Sequence, residues 1–219
     1  MTPQKIQVKI YNTLTRKKEV FSPLDGKTAR MYVCGITPYD SVHLGHARCY
    51  VAFDVIKRFL EKRAGYEVKH IQNFTDVDDK IIARAARDGI SPSELASKYI
   101  EEYFNLIKKL NVIDADVYPR VTETIPEIIQ FAAKLISSGF AYESGGDVYF
   151  AVRKFAGYGK LSGRSIDELL SGARVEPSDK KSDPLDFTLW KKSKEGEPAW
   201  DSPWGKGRPG WHIECSAMS

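Results

Sequence analysis

The sequence is poor in cysteine, has no long hydrophobic run and has only a small excess of one charge. Its 219 residues include three cysteines, an odd and low number that argues against a disulfide framework. No apolar run approaches the roughly 18 residues of a membrane-spanning helix. The N-terminus, MTPQKIQVK, lacks the apolar stretch of a signal peptide. We therefore expect a cytoplasmic protein that makes no membrane contact.

The composition is typical of a folded domain but does not indicate what the protein binds. Hydrophobic residues make up 42% of the chain, which is enough for a sizeable core and excludes wholesale disorder. With 33 basic and 29 acidic residues, the net charge of +4 permits a polyanionic partner without arguing for one. The length fits one large domain or two small ones.

The first third of the chain has the pattern of a βαβ unit. Residues 28–34 predict a strand, a helical period runs from about Gly45 to Gly65, and residues 66–74 predict a second strand. This order predicts parallel pairing in an α/β sheet. Six apolar residues of the helix fall on one face: Val51, Ala52, Val55, Ile56, Phe59 and Leu60.

Weaker patterns predict the remaining elements. These are a strand at 6–11, helices at 76–89, 91–110 and 124–138, a hairpin around 144–146, and a short helix capped by residues 165–168. Residues 171–210 are rich in proline, glycine, charge and tryptophan, and we expect irregular structure held by aromatic anchors, or a mobile loop. The pattern changes near Tyr118, which suggests a boundary there.

Two histidines lie between the first strand of the βαβ unit and its helix, where open α/β sheets bind ligands. The helix N-terminus offers free N–H groups and a positive dipole end, which suit phosphate. Gly45 lets a ligand approach the backbone closely. His43 and His46 lie on the same side of the first turn and could both donate to phosphoryl oxygens. The alternative is a pair of surface histidines at a helix start.

His43-Leu44-Gly45-His46 resembles the HIGH signature of class I aminoacyl-tRNA synthetases. Three further segments are similar to the cysteinyl-tRNA synthetase family of that class: 31–37 (MYVCGIT), 73–80 (NFTDVDDK) and 210–218 (GWHIECSAM). The resemblance implies an α/β fold, the first half of a class I nucleotide-binding fold with an inserted α+β connective-peptide subdomain. It implies three parts: 1–117 as the first catalytic half, 118–208 as the insertion, and 209–219 as the start of the second half.

The resemblance also implies an activity and a set of site residues. The family activates cysteine with ATP, bound with Mg²⁺, as cysteinyl-adenylate and transfers it to tRNA(Cys); we expect a monomer. Catalytic roles are implied for His43 and His46. ATP contacts are implied for Thr37, His43, Gly45 and His46, and contacts to the substrate cysteine for Gly35, Thr75 and Trp211. Thr75 could instead cap the next helix, and Trp211 could be a core aromatic residue.

The resemblance further implies that Cys34 and Cys215 bind zinc, together with a later histidine and glutamate. Zinc prefers thiolate to hydroxyl, so such a site distinguishes cysteine from serine. Two buried apolar thiols are the alternative, and His212 or Glu214 could add a ligand. Cys49 matches no family position, and we predict that it is a core thiol.

The family continues past the position of Ser219 with the missing zinc ligands and a lysine-rich KMSKS loop, and this sequence contains no such loop. We therefore expect a truncated form or a shortened relative, with weak zinc binding and impaired catalysis. A cysteine-to-aminoglycoside ligase of the same fold and a non-catalytic binding fragment remain alternatives. Lysines at 180–181 and 191–194 could contact RNA phosphates or form a solvated loop.

Overall fold

The computed structural model describes residues 6–166, 168–169 and 180–219. The chain divides into two compact units. The first comprises Lys17–Glu123 with the N-terminal residues up to Asn12 and with Ser219, and the second comprises Thr124–Met218 with Thr13–Arg16. The domain assignments implied by the resemblance stay a prediction. No helix in the described ranges is long and apolar enough to cross a membrane.

The first unit begins with a small antiparallel hairpin. Strand β1 (Lys9–Asn12) pairs with β2 (Lys17–Val20), with Lys9 opposite Val20. The strand predicted at 6–11 is thus confirmed in part, because it begins later than expected. Strand β2 was not expected, since its residues Lys-Lys-Glu-Val are all exposed and show no apolar alternation.

The predicted βαβ unit is confirmed. It consists of β3 (Thr28–Val33), α1 (Leu44–Lys62) and β4 (Glu67–Gln72). The strands pair in parallel, from Thr28 opposite Glu67 to Val33 opposite Gln72. Isolated parallel bridges join Ile71 to Val117 and Phe74 to Arg120, so residues 117–120 run beside β4 and the residues after it. The carboxyl ends of β3 and β4 therefore meet at one edge, the place where α/β sheets bind ligands.

Helices α2 (Asp79–Asp88) and α3 (Pro92–Lys109) pack against each other after β4. The N-cap residue of α2 is Asp78, whose carboxylate accepts a hydrogen bond from the Lys80 N–H. Its C-cap residue is Gly89, which has a backbone conformation in the left-handed region. The predicted capping box opens α3, because Ser91 Oγ accepts from the Glu94 N–H at 3.2 Å while Glu94 accepts from the Ser91 N–H at 2.9 Å.

Aromatic rings fill the core under the sheet edge. The Phe74 ring, which follows β4, lies 5.3 Å from that of Tyr103 and 5.6 Å from those of Phe104 and Tyr118, centroid to centroid. Tyr50 of α1 meets Tyr103 edge-on at 5.3 Å. Burial raises the pKa of both the Tyr50 and the Tyr103 hydroxyl, so both stay neutral. This cluster joins α1, α3 and the end of β4.

The apolar face of α1 is not its buried face. Of the six apolar residues that share it, only Leu60 is buried, and Val55, Ile56 and Phe59 line an open apolar groove with β1 and β3. The buried residues of the helix are Tyr50, Asp54, Lys57 and Leu60. Charged groups can be buried here because the segment after α3 satisfies them. Asp54 accepts from the Ile113 N–H at 2.9 Å, and Lys57 Nζ donates to the Asp114 carbonyl at 3.1 Å.

The second unit is an antiparallel sheet with two helices packed against it. Its strand order is β5-β6-β7-β8, and α4 and α5 both pack on β7. Its elements are α4 (Ile125–Ser137), β5 (Ala141–Ser144), β6 (Asp147–Phe150), β7 (Phe187–Lys192), β8 (Gly207–Pro209) and α5 (Trp211–Met218). The predicted helix at 124–138 and the predicted hairpin are confirmed.

The expectation of irregular structure over 171–210 is wrong for the residues of β7 and β8. Strand β7 mixes apolar residues with lysine and pairs with β6, a partner distant in sequence, so local patterns do not reveal it. Trp190 of β7 is fully buried, and its ring lies 6.1 Å from Trp204, as expected of an aromatic anchor. Residues 170–179 lie outside the described ranges, as does Asp167 of the predicted short helix.

His70 is a buried histidine in the middle of β4, away from the carboxyl end of the strand. Within the described part of the chain, neither of its ring nitrogens has a hydrogen-bond partner. Burial lowers the pKa of the imidazole, and the nearby Lys57 ammonium lowers it further, whereas the carboxylates of Asp116 and Asp54 partly oppose both effects. His70 is therefore held neutral in the folded chain.

We predict that His70 makes the first unit less stable in mild acid. Its pKa is lower in the folded than in the unfolded chain, so stability is complete above about pH 6.5 and falls as the pH drops below it. His70→Leu should flatten this loss, which is at most about 1.4 kcal/mol per pH unit for one proton. All four tryptophans lie in the second unit, so unfolding is followed by circular dichroism rather than by fluorescence.

Above pH 7.5 the curves of free energy of unfolding against pH should run parallel for parent and variant, which provides the internal control. Parallel curves down to pH 5.5 would contradict the prediction.

Candidate active site

A buried asparagine joins the carboxyl ends of β3 and β4. Asn73 is fully buried, and its Oδ1 accepts a hydrogen bond from the Gly35 N–H at 2.8 Å. Its Nδ2 donates to Thr75 Oγ1 at 3.4 Å, and the Thr75 N–H donates to the Ile36 carbonyl at 3.1 Å. The segments that follow the two strands are therefore fixed to each other by two hydrogen bonds, and the third bond, from Asn73 to Thr75, holds the segment after β4 in shape.

Gly35 stands where the two segments come closest. A Cβ atom at this position would lie 1.5 Å from the Asn73 carbonyl oxygen and 2.7 Å from its carbonyl carbon. No larger residue fits without moving backbone. The predicted contact of Gly35 with the substrate cysteine stays a prediction, and the structure gives this glycine a packing role of its own.

The two histidines form a stacked pair at the start of α1. His43 is the N-cap residue, and its Nδ1 accepts from the Gly45 N–H at 3.1 Å. His46 Nδ1 accepts from the His43 N–H at 3.3 Å, which completes a reciprocal capping box. The ring centroids lie 3.8 Å apart with planes at 16°. Histidine thus takes the place of the usual serine and glutamate at this helix start.

This capping geometry determines which nitrogen of each ring can donate. A neutral imidazole that accepts at Nδ1 carries its proton on Nε2. Burial lowers the pKa of His46, and the neighbouring His43 lowers it further, so His46 is neutral at pH 7. Two parallel rings therefore present Nε2–H donors beside a helix N-terminus. Such an arrangement suits phosphoryl oxygens that gain negative charge during a reaction.

Gly45 makes room for the first ring of this pair. A Cβ atom at position 45 would lie 2.9 Å from His43 Cε1 and 3.0 Å from His43 Nδ1. A side chain here would push the imidazole away from the backbone N–H that it accepts from. Position 45 therefore requires glycine to leave space for the His43 ring, whether or not a ligand also approaches the backbone there.

The other predicted site residues occupy distinct places. Thr37 is half-buried, and its carbonyl accepts from the Tyr39 N–H at 2.9 Å. Thr75 is buried and does not cap a helix, because α2 begins at Asp78. Trp211 begins α5 and is 61% exposed, which excludes the alternative of a core aromatic. Gly35 and Thr75 lie together in the first unit, whereas Trp211 belongs to the second.

The exposure of the three cysteines bears on the roles predicted for them. Cys34, directly after β3, is exposed, and Cys215 of α5 is half-buried, so neither is a deeply buried apolar thiol. The prediction that Cys49 is a core thiol is wrong, because α1 packs inward through Tyr50 and leaves Cys49 exposed. Within the described ranges, no group of three or more His, Cys, Asp or Glu side chains could hold a metal ion. These residues therefore do not form a complete zinc site by themselves.

Two polar residues have roles that the sequence patterns did not reveal. Asn73 joins the strand ends, and buried Asp76 accepts from the Thr122 N–H at 3.0 Å and from Thr122 Oγ1 at 2.6 Å. The only local signal is a polar residue at the end of an apolar strand. Their partners are 38 and 46 residues away in sequence, beyond the reach of periodicity.

Comparison with known proteins identifies the family of this chain. The family model described as "tRNA synthetases class I (C) catalytic domain" matches residues 20–219. The chain belongs to this family. The predicted family and α/β fold class are thereby confirmed for this class I tRNA synthetase chain.

Individual relatives agree with the family match. A cysteine–tRNA ligase of Endomicrobium trichonymphae is 60% identical over 215 residues, and one of Thermococcus onnurineus is 59% identical over 212 residues. Each match covers 97% of this chain and 46% or 44% of the relative, so the synthetase chain spans about half the length of these relatives. Among solved structures, the chain is similar to methionyl-tRNA synthetase of Mycobacterium tuberculosis in complex with methionyl-adenylate, with 23% identity and a TM-score of 0.49. The alignment covers 58% of this chain and 25% of the methionyl-tRNA synthetase chain.

We predict that Gly35→Ala strongly destabilises the first unit of the synthetase chain. The added methyl group collides with the Asn73 carbonyl, and overpacking of this kind costs about 3 kcal/mol. The midpoint of urea unfolding, followed by circular dichroism, should fall accordingly.

Gly157→Ala is the matched control, since its nearest neighbours are Phe155 ring atoms at 3.4 Å. Equal midpoints for the parent and both variants would show that the strand ends can separate without cost, contrary to the prediction.

Proposed function

We propose that the protein activates cysteine with ATP as cysteinyl-adenylate and transfers the cysteinyl group to tRNA(Cys). The observation that best supports adenylation is the stacked pair of His43 and His46 with its two Nε2–H donors at the start of α1. The identity of about 60% to cysteine–tRNA ligases supports the choice of amino acid.

In the proposed reaction, the carboxylate of cysteine attacks the α-phosphorus of ATP and pyrophosphate leaves. Negative charge grows on the phosphoryl oxygens in the transition state. Two fixed imidazole N–H groups and the positive end of α1 stabilise that charge without further reorganisation, because the capping bonds already hold the rings in place. The histidines thus position and stabilise rather than transfer protons.

The second half-reaction transfers the cysteinyl group to a terminal ribose hydroxyl of the tRNA. We propose that the second unit contains the insertion that faces the acceptor end, as the resemblance implies. Lys180 is a poor candidate for a phosphate contact, because its ammonium pairs with Asp147 at 2.8 Å. Lys191 and Lys192 lie on β7 rather than in a loop.

We also propose that Cys34 and Cys215 contribute two thiolate ligands to a zinc ion. The support is the sequence resemblance and the exposure of Cys34. Zinc would supply a preference for the thiol of cysteine over the hydroxyl of serine. A structural or substrate-binding zinc site needs more donors than these two thiolates.

The adenylation proposal is tested by cysteine-dependent exchange of radioactive pyrophosphate into ATP. His43→Asn should lower the rate of exchange about 100-fold, which is the typical cost of removing one donor to a developing oxyanion. Asparagine is a good N-cap residue, so the helix start and the melting temperature should be preserved.

His43→Ala is the matched control for the cap, because it should lose the same activity and also about 1 kcal/mol of stability. Exchange at the parent rate in His43→Asn would remove His43 from the site. If the parent protein shows no cysteine-dependent exchange, the proposed function is wrong. Transfer of cysteine to an amino sugar but not to tRNA would identify the aminoglycoside ligase instead.

The zinc proposal is tested by metal content. Cys34→Ser should weaken zinc binding by at least the roughly 10- to 100-fold that is typical of disturbing a metal ligand. Zinc per protein molecule is measured after dialysis against a weak chelator. Cys49→Ser is the matched control, because Cys49 is also an exposed thiol of the first unit but matches no ligand position. Unchanged zinc in Cys34→Ser would exclude Cys34 as a ligand.

A further inference from the structure

Residues 39–41, which we call the approach loop, lead from buried Pro38 to the histidine pair. Helices α2 and α3 hold this loop at every residue. Tyr39 packs against the core between these helices, with Lys80 Nζ 5.2 Å from the centroid of its ring. Ser41 Oγ donates to Glu102 Oε2 of α3 at 3.2 Å. The middle residue, Asp40, is held by Arg84.

Arg84 has a partner on each of three elements. Its Nη1 donates to Asp40 Oδ2 of the approach loop at 2.9 Å. Its Nε donates to Asp88 Oδ2, one turn further along α2, at 2.7 Å, and its Nη2 donates to the Tyr99 hydroxyl of α3 at 3.3 Å. The planar guanidinium therefore connects the loop to both helices at once.

An exposed ion pair usually contributes little, because two long side chains must be ordered to form it. In this pair the Asp40 side chain is 54% exposed, but Arg84 is only 23% exposed and is already held by Asp88 and Tyr99. Asp40 is ordered as well, because its Oδ1 accepts from the Ser41 N–H at 2.9 Å. That bond, together with the Arg84 charge, lowers the pKa of Asp40, so the carboxylate is ionised at neutral pH.

We propose that Arg84 is a positioning residue of the ATP site. By holding Asp40 it fixes the approach loop, and the loop fixes the point at which His43 caps α1 and stacks on His46. Arg84 acts through Asp40 rather than by touching the nucleotide. This inference rests on the proposed function, because it takes the histidine pair as the place where ATP binds.

The test is Arg84→Gln, which keeps the length of the side chain nearly intact but removes the charge and the fork of donors. The KM for ATP in pyrophosphate exchange should rise about tenfold, as is plausible for a small displacement of a positioned group. The KM for cysteine should stay unchanged. Amide hydrogen exchange, which does not depend on turnover, should become faster in peptides covering residues 37–46 but not in those of α2 and α3.

Arg87→Gln is the matched control. It removes the same charge from the same helix, but the Arg87 side chain is 68% exposed and its ion pair is with Asp88 at 3.5 Å rather than with the approach loop. Asp40→Asn should reproduce the effect of Arg84→Gln, and the double variant should be no worse than either single one, because both changes break the same link.

The outcomes separate the two proposals. Parent-like KM for ATP and parent-like hydrogen exchange in Arg84→Gln would overturn the positioning role alone. A joint rise of both KM values, with faster exchange throughout α2 and α3, would show that Arg84 only stabilises the helix pair and would also overturn it. Absence of cysteine-dependent exchange in the unsubstituted protein would instead overturn the proposed function.

Discussion

The geometry of the first unit depends on the buried side chain of Asn73. Its Oδ1 accepts from the Gly35 N–H of the segment after β3, and its Nδ2 donates to Thr75 of its own segment. With the bond from the Thr75 N–H to the Ile36 carbonyl, two hydrogen bonds connect the segments that follow β3 and β4. A fully buried amide is costly unless it is satisfied, and here each of its polar atoms has a partner. The absence of a side chain at Gly35 is what allows the approach. Because Cys34 and Thr37 flank this contact in the chain, their placement follows from it.

The histidine pair caps α1, and the same geometry is the basis of its proposed role in adenylation. Nδ1 of each ring accepts a hydrogen bond from a backbone N–H at the start of α1 that has no partner within the helix. Nε2 of each ring is not used in this capping. One turn later, Tyr50 enters the aromatic cluster around Phe74 and Tyr103. The helix that carries the rings is therefore anchored to the core that also supports the end of β4. The proposed binding of ATP at this point would need little reordering, because the capping bonds already hold the rings.

The sequence predicts what is local and misses what depends on distant partners. The βαβ unit, the Ser91 capping box and the turn at residues 144–146 follow from period, caps and turn residues, and the structure has them all. The apolar pattern of α1 does not indicate its buried face, because Asp54 and Lys57 can enter the core only when the segment after α3 satisfies them. Strand β7 was missed for the same reason, since its partner β6 lies far back in the chain. At the site, the motif identified the histidines, but not the bonds that orient their rings.

Long-range bonds hold the approach loop and the strand end that lie beside the histidine pair. Asn73 is 38 residues from Gly35, Arg84 is 44 from Asp40, and Glu102 is 61 from Ser41. Each contact ties a residue near the motif to a strand end or a helix that has its own packing. A loop held only by local bonds can change its shape at small energetic cost, whereas movement of this one also breaks contacts with α2, α3 or the end of β4. The proposed positioning of the histidine pair therefore depends on residues distant in sequence, and this is why a substitution such as Arg84→Gln is expected to affect the site without a direct contact to it.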